Sequence, residues 1–108
     1  MSTTTISTDR DVITLVNVFT VEPESQQKLV DLLVEATEQV MRHLPGFVSA
    51  NIHASLDGGR VVNYAQWRTV ADFENMLSNP EAGKHMKPAA DLAKVEPHLY
   101  MVASVHHV

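Results

Sequence analysis

The chain contains no cysteine. A disulfide framework, a thiolate zinc site and a cysteine nucleophile are therefore excluded, and a cytoplasmic, reducing compartment is the expected one. Basic residues are also scarce. Eight Lys and Arg stand against 13 Asp and Glu, a formal net charge of -5. Nucleic acid calls for a basic footprint, so it is not an expected partner. No segment reaches the roughly 18 apolar residues of a membrane-spanning helix. Residues 1–10 hold Ser and Thr where a signal peptide would hold an apolar stretch, and they read as a flexible tail. Aromatic residues make up only 6% of the 108, with a single tryptophan. What is present, 44% hydrophobic and 19% charged, suffices for one packed domain over residues 11–108.

Residues 11–21 are β-branched and aromatic without a helical period, which predicts a strand. Glu22-Pro23-Glu24 opens a helix, because proline suits the first helical position and carboxylates suit the positive end of the dipole. Leu29, Leu33, Ala36, Val40 and Leu44 give that helix one apolar stripe, and Pro45-Gly46 stops it. Phe47 to Leu56 is the next strand. The turn Asp57-Gly58-Gly59-Arg60 returns the chain as Val61 to Arg68, antiparallel. Thr69 and Asp72 form a capping box for a short helix whose inner face carries Phe73, Met76 and Leu77. Asn79-Pro80 ends it and starts another, which Pro88 is expected to kink or restart. Leu99 to Val105 reads as the last strand. The order β-α-β-β-α-β is the ferredoxin-like α+β arrangement, a four-stranded antiparallel sheet with helices on one face.

A two-residue Gly58-Gly59 turn would set Leu56 opposite Val61, Ala54 opposite Asn63 and Ala50 opposite Trp67. Asn63 and Trp67 then share a face with Val48, Ile52 and three alanines, Ala50, Ala54 and Ala65. That face is apolar apart from Asn63 and should be the one the helices cover. Asn63 and Trp67 both end in neutral hydrogen-bond donors. Buried donors need acceptors, so the pair implies either a local network or a pocket for a polar ligand. The alanines leave room for such a pocket. The opposite face carries Phe47, His53, Tyr64 and Gln66 and, from the first strand, Val16 and Val18. It is too apolar to be left in water. A second copy packed sheet against sheet, a homodimer through His53, Tyr64 and Gln66, is the expected remedy.

L-P-G-F at 44–47, W-R-T-V-A-D-F at 67–73 and, above all, H-A-S-L-D-G-G-R-V-V-N-Y-A-Q-W at 53–67 resemble the antibiotic biosynthesis monooxygenase superfamily. The resemblance spans about residues 11–105 and implies dimeric α+β barrels built from ferredoxin-like protomers. It is closest to the branch that oxidises anthrones to quinones with dioxygen and no metal, flavin or haem. In that branch a strand asparagine and tryptophan contact the substrate, and they match Asn63 and Trp67. A helix tyrosine falls on Phe73, so its hydroxyl is missing. A basic residue further on has no clean match among His85, Met86 and Lys87. The superfamily also includes haem-degrading enzymes. Their strand asparagine matches Asn17 and their haem-ligating histidine falls on His85, while their helix tryptophan falls near Met76 and is absent.

Dioxygen does not react readily with a singlet molecule, and ordinary side chains supply no redox centre. An anthrone can supply the electron itself once it has lost a proton. The resemblance therefore implies a site that binds a polycyclic phenol or hydroquinone, stabilises its anion and excludes water. Asn63 and Trp67 are the candidate donors, and His85 is the candidate for proton transfer because imidazole titrates near neutrality. Asn17, Leu33, Phe73, Met76 and Lys87 are candidate substrate contacts. Each also has a plainer reading: Trp67, Phe73 and Met76 as core, Asn17 as a backbone cap, and His85 as a solvated helix residue. His106-His107 is not a metal pair, since neighbours on a strand face opposite ways. A non-catalytic ligand-binding dimer and a haem-binding enzyme are the alternative functions.

Overall fold

Ile13–Val21 forms strand β1, and from Leu15 onward its residues alternate between a buried and a less buried face. The computed structural model describes residues 2–108. After a 3-10 turn at Pro23–Ser25, helix α1 runs Gln26–Gln39 and buries Leu29, Leu33 and Ala36, the predicted stripe. It stops earlier than Pro45-Gly46: a 3-10 turn, Met41–His43, intervenes, and Gly46 at φ 82° then redirects the chain. Strands β2, Phe47–Ala54, and β3, Arg60–Trp67, form the predicted hairpin. Helix α2, Val70–Leu77, begins on the Thr69 cap, whose hydroxyl accepts from Asp72 N–H. Helix α3, Pro80–Leu92, begins on Asn79 and continues through Pro88 without a break. Proline forfeits one main-chain hydrogen bond there, and the exposed carbonyl of Lys84 can be served by water.

Strand β4 is Ala93–Tyr100, upstream of the expected 99–105. Pro97 and the charged residues around it disguise the strand, but an edge strand tolerates proline. The sheet order is β2-β3-β1-β4, antiparallel throughout. This is the ferredoxin-like α+β fold, with all three helices on one face of the sheet. Among the described residues, no helix is long and apolar enough to cross a membrane.

The hairpin register differs from the expected one by two residues. Ala54 faces Val61, Ile52 faces Asn63 and Ala50 faces Ala65. The loop is longer than two residues, only Gly58 takes positive φ (84°), and Leu56 is fully exposed in the turn. The Asp57 carboxylate accepts from Gly59 N–H at 3.0 Å and from the Ser55 hydroxyl at 2.8 Å. These bonds, the Gly59 one foremost, hold its pKa below the usual carboxylate value. A shift of two preserves the face of every side chain, so Asn63 and Trp67 still point at the helices. A β-bulge between Phe47 and Ser49 does change a face. It sets Phe47 opposite Trp67 on the inner side, where Val48 was expected.

The segment expected to be a flexible tail has no helix or strand but is tied to the outer face of the sheet. Thr4 Oγ1 donates to Asn51 Oδ1 at 2.6 Å, and Gln66 Nε2 donates to the Thr5 carbonyl at 2.9 Å. His53 is exposed and Tyr64 half-buried on that face, as expected. Gln66 is only 1% exposed, its amide taken by the chain's own N-terminal segment.

Gly46 combines positive φ with a side chain packed where its Cβ would lie, that of Asp72, whereas a Cβ at Gly83 meets nothing. Gly46→Ala is expected to destabilise the fold by about 1–3 kcal/mol. Gly83→Ala, inside α3, should stabilise it by about 0.4–1 kcal/mol. Urea unfolding of the two variants reads this opposition of sign.

Candidate functional site

The apolar core is not continuous over the inner face of the sheet. Phe19 and Val61, facing each other on β1 and β3, belong to one cluster with Leu29 and Leu33. Leu15 and Ala65, two steps further along the same strands, belong to another with Trp67 and Phe73. Between them lies a row in which Asn17 faces Asn63. Directly opposed residues hold their Cβ atoms roughly 4.5–5.5 Å apart, so the two amides form one polar patch. The row continues to Ile52 on one side and Pro97 on the other.

Above this row is a cavity of about 260 Å³, close to the low end of small-molecule pockets at roughly 300–1,000 Å³. The sheet supplies its floor: Leu15, Asn17, Asn63, Ala65 and Trp67, with Ala50 on β2 and Val95 and Pro97 on β4. Helix α1 adds Leu33, Ala36 and Thr37. Phe73, Met76 and Leu77 come from α2, and Met86 and Ala90 from α3. Small residues create the space: Ala50 and Ala65 on the sheet face Ala36 and Ala90 on helices. Trp67 is clamped edge-on between Phe47 (5.6 Å between centroids, 90°) and Phe73 (6.5 Å, 69°). Such pairs fix the ring plane as well as burying area.

The side-chain Oδ1 atoms of Asn17 and Asn63 are buried and have no hydrogen-bond partner among the described residues. An orphaned buried amide oxygen costs about 1–3 kcal/mol. Two of them side by side in one cavity are the mark of a site that a ligand completes. With no protein partner holding it, each amide can present either its oxygen or its N–H₂ to that ligand. The third orphan, Thr14 Oγ1, lies on the opposite face of the sheet. Among the described residues, no Asp, Glu, His, Lys, Arg or Tyr lines the cavity.

The structure thus brings six expected residues together: Asn63, Trp67, Asn17, Leu33, Phe73 and Met76. It does not bring His85 or Lys87. His85 sits in a separate surface depression with Leu32, Glu35 and Pro88, its Nδ1 3.0 Å from the Glu81 carbonyl oxygen. Lys87 pairs with Asp91 at 3.1 Å in solvent. Both lie on α3, but only Met86 and Ala90 of that helix line the cavity. Ala82 and Ala89 also turn inward, which puts Lys87 on the opposite side of the helix and leaves His85, half-buried, at the flank of the inward face beside Leu32 and Glu35 of α1. A haem-ligating histidine is therefore missing from the cavity, and no group of three His, Cys, Asp or Glu suited to a metal occurs among the described residues. Sequence reasoning missed Phe47, because a bulge leaves no local signature, and Pro97, because β4 was placed too late.

A ferredoxin-like protomer enclosing an apolar cavity with a few placed neutral amides defines a small-molecule enzyme scaffold. Comparison with known proteins makes this particular. Residues 12–88 match the family described as antibiotic biosynthesis monooxygenase. The tetracenomycin-F1 monooxygenase of Streptomyces glaucescens is 50% identical over 93 residues, covering 86% of this chain and 83% of that protein. The solved monooxygenase ActVA-Orf6 of Streptomyces coelicolor, in complex with nanaomycin D, superposes with a TM-score of 0.80 at 29% identity. That match covers 89% of this chain and 91% of the other. SnoaB, a cofactor-independent oxygenase from Streptomyces nogalater, has the same fold, with a TM-score of 0.77 at 23% identity, covering 88% and 96%. The chain belongs to the antibiotic biosynthesis monooxygenase family, and it is a monooxygenase.

If the asparagine row serves a ligand and not the fold, its removal should not harm stability. Asn17→Leu and Asn63→Leu are expected to leave the melting temperature unchanged or raise it, since each replaces an orphaned amide by an apolar group. Leu15→Ala, one step along the same face, should cost about 2–5 kcal/mol. Thermal denaturation followed by circular dichroism distinguishes the two patterns.

Proposed function

We propose that this monooxygenase oxidises a polycyclic phenol, an anthrone or a hydroquinone, to a quinone with dioxygen and without a metal, flavin or haem. The observation that carries the reading is the orphaned Asn17–Asn63 pair beside Trp67 in a cavity with no ionisable lining. Apolar walls suit a fused aromatic ring system. The paired aromatic rings around Trp67 offer a rigid edge for that system to lie against. Support also comes from the relatives, one named for tetracenomycin F1 and one bound to nanaomycin D.

The chemistry then runs as follows. A phenolic anthrone loses a ring-methylene proton to give an enolate-like anion. The anion passes one electron to O₂, and the resulting radical pair combines into a carbon–oxygen bond. The peroxide anion so formed takes up a proton, in place of the one released, and the hydroperoxide loses water to leave the carbonyl of the quinone. One O₂ is consumed, and one of its atoms is retained while the other leaves as water. The protein's part is to stabilise the anion and shield the radical pair. The amide N–H₂ groups of Asn17 and Asn63 and the indole N–H of Trp67 are the donors for the developing oxyanion. The amide oxygens accept from phenolic O–H groups on the same ring system. With no base in the cavity, the proton leaves to solvent or to the substrate's own phenolate oxygens.

Phe73 stands where the resemblance places a tyrosine. It serves here as an aromatic wall packed on Trp67. In place of His85 and Lys87, the site we propose comprises Asn17, Asn63 and Trp67 as polar contacts, with Leu33, Phe47, Phe73 and Met76 as walls. The working unit we propose is a homodimer through the outer sheet face. Half-buried Val16, Val18, Val62 and Tyr64 support it as an apolar patch that a single protomer leaves uncovered.

Incubation of the purified protein with dithranol, an anthrone, under oxygen is expected to yield the anthraquinone faster than buffer, with one O₂ consumed per product. Asn63→Ala should lower turnover by roughly 10²–10³-fold, the loss of about 2–4 kcal/mol typical of a removed oxyanion donor. Trp67→Phe should lower it less. No quinone above the buffer control from a folded protein, or full activity in both variants, overturns the assignment. In solution scattering at micromolar concentration the expected mass is that of two chains, and His53→Ala should weaken association while leaving turnover per dimer unchanged. A one-chain mass defeats the dimer.

A further inference from the structure

The N-terminal segment, Gln66 and Ser49 form a closed ring of hydrogen bonds on the outer face of the sheet, directly behind the cavity's aromatic wall. Thr4 Oγ1 donates to Asn51 Oδ1 at 2.6 Å. Asn51 Nδ2 donates to Ser49 Oγ at 3.3 Å and to the Tyr64 carbonyl at 2.9 Å. Ser49 Oγ donates to Gln66 Oε1 at 2.8 Å. Gln66 Nε2 donates to the carbonyl of Thr5 at 2.9 Å, and the peptide bond from Thr5 to Thr4 closes the ring. Every polar atom of the buried Gln66 amide is thereby engaged on one side or the other. This contrasts with the orphaned amides on the inner face.

The position of the ring matters. Ser49 is the first residue paired after the β-bulge, and its partner across the ladder is Gln66. The next residues outward are Phe47 and Trp67: alternation along β3 already turns Trp67 inward, and the bulge on β2 turns Phe47 to the same face. A bulge leaves one residue unpaired, and β2 is an edge strand with no neighbour on its other side. A slip of one residue there would send Phe47 to the outer face and bring Val48 in. The Ser49–Gln66 bond fixes the register at that point, and Thr5 and Asn51 hold the two partners of that bond from above.

We propose that Gln66 is a positioning residue, and that the segment carrying Thr4 and Thr5 is a strap that acts through it to hold Phe47 and Trp67 in the cavity wall. The proposal rests on the reading of Trp67 as a substrate contact for its catalytic consequence, but not for its structural one. Trp67 is the single tryptophan of the chain beside two tyrosines, so fluorescence excited at the red edge, where tyrosine does not absorb, reports its surroundings alone.

The test uses two near-isosteric variants of the full chain, Gln66→Met and Thr4→Val, and their combination. Both single variants are expected to shift Trp67 emission to longer wavelength with little change in melting temperature. Gln66→Met should lower kcat on dithranol by about tenfold, within the roughly hundredfold that a displacement of about 1 Å can cost, while KM moves less than threefold. Thr4→Val should have a smaller effect of the same kind. The double variant should be no worse than Gln66→Met alone, because both act on one ring. Unchanged Trp67 emission in both single variants overturns the proposal, as do additive effects in the double variant or a loss confined to KM. If the wild-type protein gives no quinone, the emission measurements and quenching of Trp67 by an added anthraquinone still decide the strap. A failed function and a failed strap are thus told apart.

Discussion

Everything about this site follows from one unsatisfied pairing, the row where Asn17 on β1 faces Asn63 on β3. In an ordinary sheet that row would carry two more apolar residues, and the clusters around Phe19 and around Leu15 would merge into one core. Two amides there interrupt the core over the sheet. Ala36 of α1 and Ala90 of α3 line the break beside the larger Leu33 and Met86, and a cavity results. The orphaned oxygens are a cost of order 1–3 kcal/mol each. The well-packed apolar clusters on either side can bear that cost, and a bound ligand would recover it.

The cavity's electrostatics are those of fixed dipoles. Among the described residues that line it, none has an ionisable side chain. The indole of Trp67 is fixed by the Phe47–Trp67–Phe73 stack, whereas the neutral amides of Asn17 and Asn63 have no protein partner for their oxygens. In the function we propose, a developing anion gains from these groups, and the substrate carries its own acidity and its own electrons.

Much of this architecture was legible from local signals. The stripe Leu29, Leu33, Ala36 identified α1, Thr69 with Asp72 marked the start of α2, and the β-branched run marked β1. Asn63 and Trp67 were placed on the covered face by parity alone, and that survived a register error of two because side chains alternate with period two. Parity failed at Phe47, where the bulge inserts a residue that no composition rule announces. Local pattern also failed at β4, where Pro97 and flanking charges hide a strand that owes its existence to pairing with β1. For His85 and Lys87 the helix was right, but the inward direction was decided by where α3 packs.

By itself, the amino-acid sequence determined the class of fold, the helix-covered face and the presence of Asn63 and Trp67 on it. It did so because hydrophobic period, caps and turn residues act over a few positions. It also excluded thiol chemistry outright, since there is no cysteine to perform it. Only the tertiary structure decided which polar residues meet. Asn17 and Asn63 are far apart in the chain and become neighbours through antiparallel pairing. His85 leaves the site through the rotation of α3, and Thr5 reaches Gln66 across the back of the sheet. Contacts of this kind are set by the packing of whole elements against one another, and no local pattern encodes that packing.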